Sequence, residues 1–101
     1  MRNHNYFVYI VTNTSKSVLY IGVTNDLPTR LAQHFENKNK PETFAGRYHC
    51  HHLIYWERFQ YIDHAIEREK ELKKWSRSKK NALIGEFNPT WDFLNEEISQ
   101  K

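Results

Sequence analysis

Two apolar runs separated by only six residues constrain this chain more than any other feature. Tyr6 to Val11 reads "YFVYIV" and Val18 to Val23 reads "VLYIGV", with the turn-like "TNTSKS" between them. Both runs are rich in β-branched and aromatic residues, the composition of strands. A parallel pair needs a crossover of about a dozen residues or more, so an interval this short fits an antiparallel hairpin. Tyr20 and Gly22 stand in the second run, where valine or isoleucine would pack better. A glycine inside a strand weakens it and often marks a close approach of backbone or ligand.

The rest of the chain alternates helix and strand signals. Asp26 can cap a helix from Leu27 to about Glu36, and Pro28 is tolerated in its first turn. "NKNKPETFAGRYH" is a polar loop with Pro41 and Gly46, and "CHHLIYWERF" reads as a third strand. Asp63 can cap a helix to about Trp75. Ser76 or Ser78 can cap a shorter one through Ile84, ended near Gly85, and "FNPTWDFL" is a turn and a last short helix. The 101 residues hold one domain with one core, without repeat, low-complexity tract or linker. The fold class is therefore α/β (α+β): a small, mainly antiparallel three-stranded sheet flanked by helices, spanning 1–101 with a core of about 4–94.

Composition removes several classes. One cysteine allows no disulfide within the chain, which suits a reducing cytoplasm. The opening "MRNHNYFVYI" has too short an apolar run for a signal peptide, and no run approaches a membrane span. A net charge of +3 permits a polyanionic partner without requiring one. Arg68, Lys70, Lys73, Lys74, Arg77, Lys79 and Lys80 crowd into one segment. Glutamates at helical spacing, Glu67–Lys70, Glu71–Lys74 and Glu69–Lys73, support a solvated face. Charge alone leaves that reading and a phosphate-contacting one level.

Polar residues on apolar stripes carry more information. Ile62, Ala65, Ile66 and Leu72 form one stripe of the helix after Asp63, and Glu69 falls within it. A carboxylate there is costly unless a cation meets it, whether an arginine at the core edge or a metal ion. On the first helix, Leu27, Leu31 and Phe35 form the stripe, and Arg30 and His34 share its edge. A snorkelling arginine accounts for that pattern taken alone. Joined to two strand tyrosines, the residues form a set suited to phosphodiester cleavage. A carboxylate holds a cation, an arginine neutralises developing phosphate charge, and a base handles the water proton.

Tyr9 in "FVY", Tyr20 and Gly22 in "YIG", Arg30, His34, Glu69 in "AIEREKELKKWSRSKKNALI" and the later Asn88 together resemble the GIY-YIG nuclease domain. The likeness is greatest to its small stand-alone bacterial members and covers roughly residues 4 to 94. The first triplet departs from the family's Gly-Ile-Tyr but keeps the tyrosine. The resemblance implies that Glu69 holds a single divalent metal, magnesium or another such as manganese. It places Arg30 near the scissile phosphate. It makes Tyr9 and Tyr20 the hairpin tyrosines, one of which helps take the proton from the attacking water. It puts His34 in the site, with Asn88 supporting it and Gly22 leaving room there. Lys73, Lys74, Arg77, Lys79 and Lys80 are the candidate nucleic-acid contacts.

His49, Cys50, His51 and His52 invite a zinc reading, with His49 and His51 on one strand face, but no second ligand pair with metal spacing follows. His4 and His64 are expected at the surface and Trp56, Trp75 and Trp91 in the core. Trp91 or Tyr48 could stack on a base, though packing is the commoner fate. The expected function is a metal-dependent endonuclease acting on DNA, in repair or processing, in the cytoplasm. The alternative is a nucleic-acid-binding module that keeps the fold and does not cut. No membrane and no small-molecule cofactor are expected. Substrate shape, DNA against RNA, and monomer against dimer are not legible.

Overall fold

The hairpin forms as β1 (Tyr6–Thr12) and β2 (Leu19–Thr24), antiparallel, with Tyr9 opposite Gly22 and Val11 opposite Tyr20. A third strand, β3 (His52–Phe59), pairs antiparallel with the other side of β1, giving the order β2-β1-β3. The structure is a computed structural model that describes residues 5–99. Central placement explains why β1 reads as an unbroken apolar run: Val8, Tyr9, Ile10 and Val11 are buried on both faces of the sheet. Among the described residues, no strand pairs with the outer edge of β2.

Helix α1 (Leu27–Glu36) begins as expected, with the Asp26 carboxylate accepting from Thr29 N at 3.2 Å. The expected polar loop contains a one-turn helix, α2 (Phe44–Arg47), capped by Thr43 Oγ1 accepting from Gly46 N at 2.9 Å. Helix α3 (Ile62–Lys74) starts one residue before Asp63, which therefore sits inside the first turn rather than at the cap. A carboxylate there still favours the helix dipole. Helix α4 (Arg77–Phe87) is capped by Ser76 and runs through Gly85 instead of stopping there. The Asn88 N–H closes it on Ile84 O at 2.7 Å. The last helix, α5 (Asn95–Ser99), comes later than expected. A turn fills 88–92, with Trp91 at a positive φ of 55°.

The sheet separates two apolar layers. On one face, Val8, Ile10, Ile21 and Ile54 meet Ala65 and Leu72 of α3 and Ile84 of α4. On the other, Tyr9, Val11 and Leu53 meet Leu27 and Leu31 of α1, Ala45 of α2 and Leu94. Two expected stripes are narrower than their spacing suggested. Phe35 is 55% exposed and His34 is buried in its stead. Ile62 and Ile66 lie at the surface, so Ala65 and Leu72 anchor α3. The three tryptophans are half-buried at core margins. His49 has a positive φ of 60° and precedes the strand, as does His51, so the two do not alternate on a strand face. His64 is exposed as expected, and His4 lies outside the described residues. Among the described residues no helix is long and apolar enough to cross a membrane.

Candidate active site

Cross-strand partners project to the same face, so the Tyr9 side chain lies over Gly22. A Cβ at position 22 would sit 2.5 Å from the Tyr9 hydroxyl oxygen. The glycine therefore admits the phenol itself. Tyr9 is only 1% exposed, and its hydroxyl meets two side chains from α1. Arg30 Nε donates to it at 3.2 Å, and His34 Nε2 lies 2.8 Å away. Tyr20 closes the cluster, its ring edge-on to His34 at 5.4 Å between centroids. The spacing of four between Arg30 and His34 puts both on one helix face, and the packing of Leu27 and Leu31 turns that face to the sheet.

Burial pushes the Tyr9 phenol up to about 12, outweighing the hydrogen bond and charge of Arg30 that favour ionisation. Burial, helped by the Arg30 charge and by His51, holds the His34 imidazole down at about 4. His34 is thus neutral near pH 7. In the tautomer protonated on Nδ1, its Nε2 accepts the Tyr9 hydroxyl proton. Burial also works against the Arg30 charge, but the Tyr9 and Tyr20 phenols prevail and raise its pKa.

Glu69 arrives from the opposite side of the sheet, because α3 packs on the other face. Its side chain is 20% exposed and pairs with Lys73 Nζ at 2.9 Å. Its charge is still felt at Tyr9, where it adds to the cost of ionising the phenol. The two faces meet around the free edge of β2. A groove of about 310 Å³ there is lined by Leu19, Tyr20, Ile21, Phe44, Lys73 and Lys80. Tyr9, Tyr20, Arg30 and His34 are thus in mutual contact, while Glu69 stands apart from them on α3. No group of three or more potential ligands from His, Cys, Asp and Glu occurs among the described residues. A single carboxylate suits magnesium, which keeps several waters and shares substrate phosphate oxygens, better than it suits zinc.

The basic segment divides. Lys73 and Lys80 face the groove, and Lys79 lies over the Trp75 ring at 4.6 Å. Lys74 is exposed at the end of α3. Arg77 donates to the carbonyls of Ser17 at 2.9 Å and Lys16 at 3.0 Å, tying the hairpin loop to α4. Asn88 is buried, and its Nδ2 donates to Ile54 O at 3.1 Å and Asp92 O at 2.9 Å. It thereby braces β3 and the turn after α4.

Two features were not read from the sequence. Arg68 binds Glu57 of β3 at 2.9 Å and also Glu71, and Tyr55 donates to Glu57. This network fixes α3 on the sheet and so orients the neighbouring Glu69. Phe44 and Tyr48 form an exposed aromatic pair beside Tyr20. Tyr48 was a stacking candidate by itself, but its pairing with Phe44 was signalled only by their spacing of four, hidden by the surrounding Pro, Gly and Asn.

A family model described as the GIY-YIG catalytic domain matches residues 5–82. The chain belongs to that family. It is 37% identical over 87 residues to a UPF0213 protein of Bacillus pumilus, covering 86% of each chain. It is 35% identical over 82 residues to a UPF0213 protein of Staphylococcus aureus, covering 81% of this chain and 96% of the relative. The solution structure of a UPF0213 protein from Bacillus halodurans superposes with a TM-score of 0.55 at 27% identity, covering 95% of this chain and 99% of that one. The three-stranded antiparallel sheet flanked by helices is the architecture that the two share.

Proposed function

We propose that this chain is a divalent-metal-dependent endonuclease that hydrolyses phosphodiester bonds in DNA, in repair or processing. The observation that carries the proposal is the Arg30–Tyr9–His34 cluster packed against Tyr20, with the Glu69 charge reaching Tyr9 from α3. Family membership supports the same reaction class. Glu69 is the residue that would hold a single magnesium or manganese ion. When bound, such an ion polarises a phosphate oxygen as a Lewis acid. Arg30 keeps its positive charge and neutralises charge developing on the phosphate. Tyr9 is too enclosed to meet a water and too costly to ionise, so it acts as a positioning residue between Arg30 and His34. Tyr20 is half-buried and lines the groove, which supports giving the attacking water to its hydroxyl rather than to that of Tyr9.

Single-turnover cleavage of plain, nicked and branched DNA, with and without magnesium, tests the proposal. Glu69→Gln should lower cleavage by at least about a hundredfold. Tyr20→Phe should cost about 10²–10⁴-fold if its hydroxyl handles the water proton. Tyr9→Phe should cost less than Tyr20→Phe and should shift the imidazole NMR signals of His34. A reversed order would hand the base role to Tyr9. Tight DNA binding with no metal-dependent cleavage would replace the proposal with the non-cutting module.

A further inference from the structure

We propose that the groove at the free edge of β2 takes one unpaired nucleobase and its flanking phosphate, so that the chain engages single-stranded nucleic acid there in preference to duplex. This rests on the nuclease reading and names its substrate class. Phe44 is 51% exposed and Tyr48 is 42% exposed, neither takes part in either core layer, and of the exposed aromatic rings Phe44 is the one that lines this groove. The Phe44 ring lies 6.1 Å from Tyr20 at an interplanar angle of 29° and 4.8 Å from Tyr48. The platform is held in place. Thr43 caps its single helical turn, and Cys50 N donates to Ala45 O at 2.8 Å behind it.

The opposite wall carries Lys80 and Lys73, the latter ion-paired with Glu69 at 2.9 Å, and among the described residues that line the groove none is acidic. Aromatic faces opposite ammonium groups are the chemistry of single-strand recognition, in which bases stack and cations track the backbone. At about 310 Å³, the groove is nucleoside-sized, at the small end of ligand pockets. A paired base hides both faces in its own stack and could not use Phe44 without being flipped out.

Fluorescence anisotropy with the wild-type chain, in the absence of divalent cations, tests this on labelled oligothymidylate, oligouridylate and a duplex of equal length. The strand should bind more tightly than the duplex. Phe44→Leu should weaken strand binding by about 10- to 100-fold and leave duplex binding unchanged. Phe44-dependent binding of oligouridylate would support the groove for RNA as well. Lys80→Gln probes the opposite wall independently and should weaken strand binding too, with thermal melts reporting the fold of both variants. A duplex that binds as tightly as the strand, or strand binding indifferent to Phe44 and Lys80, would overturn the proposal. Magnesium-dependent cleavage of nicked duplex, run in parallel, separates the two levels. Equal cutting by wild type and Phe44→Leu with no strand preference keeps the nuclease and removes the groove. Phe44-dependent strand binding with no cleavage of any substrate does the reverse.

Discussion

A methyl group at position 22 has nowhere to go, because its carbon would lie 2.5 Å from the Tyr9 hydroxyl oxygen and 2.6 Å from the ring carbon that bears it. The ring cannot swing away, since it is enclosed and its hydroxyl is held by Arg30 and His34. Gly22→Ala should therefore cost about 1–3 kcal/mol of stability by overpacking, read as a lowered melting temperature. Shortening the neighbour in Gly22→Ala/Tyr9→Leu should recover part of that loss, and no recovery would place the strain elsewhere. His34 makes a second residue-scale prediction. Its imidazole titrates near 6.5 unfolded and about 4 folded. Between these values the unfolded chain binds more protons, so stability rises with pH. The contribution is complete above about 6.5 and is lost as the pH falls toward 4, a loss on the order of 3 kcal/mol. His34→Gln keeps an acceptor for Tyr9 and removes the titration. Urea unfolding across that window should show a shallower acid dependence for the variant, and parallel curves would exclude His34 as the source.

Elements set by local chemistry were legible, and those set by tertiary contacts were not. The hairpin, α1 with its Asp26 cap, β3 and the Ser76 cap of α4 follow from runs and capping residues a few positions apart. The single turn of α2 depends on Gly46 slipping under the carbonyls of Asn37 and Lys40, a contact that no local pattern displays. Helical spacing made Phe35 a core residue, but His34 took the buried place because Tyr9 offers it a hydrogen bond. The candidate site was legible as residue types, while its division between two faces of the sheet was not. The resemblance cast Asn88 as support for the site. Its amide joins α4 to β3 at Ile54 O and closes the turn at Asp92, a tertiary brace that no local pattern displays. Asn88→Ala would leave two carbonyls short of a donor, at a cost of about 1–3 kcal/mol. Cleavage per folded molecule should fall far less than in Glu69→Gln. Activity corrected for the folded fraction checks this, and an equal loss in both variants would return Asn88 to the site.

Across the whole molecule, a net charge of +3 is too small to direct a polyanion, so the arrangement of the cations must do so. Four residues of the basic segment that read alike in sequence have different tasks once folded. Arg77 is committed to two loop carbonyls and Lys79 to the Trp75 ring. Lys80 and Lys73, the latter paired with Glu69, line the groove at the β2 edge together with Tyr20. Each phosphate contact releases a counterion, so each lost contact lowers the log–log salt slope of binding by about 0.7 to 0.9. Lys73→Gln/Lys80→Gln should therefore flatten the slope by about 1.4 to 1.8 and weaken binding to all sequences alike. Lys79→Gln should leave the slope nearly unchanged. Arg77→Gln should act mainly through stability, because it frees the hairpin loop from α4. Binding measured from low to moderate salt for the wild type and these variants decides which face meets the nucleic acid. A slope that falls for Lys79→Gln and holds for the Lys73/Lys80 pair would move the interface off the β2 edge and onto the outer side of α4.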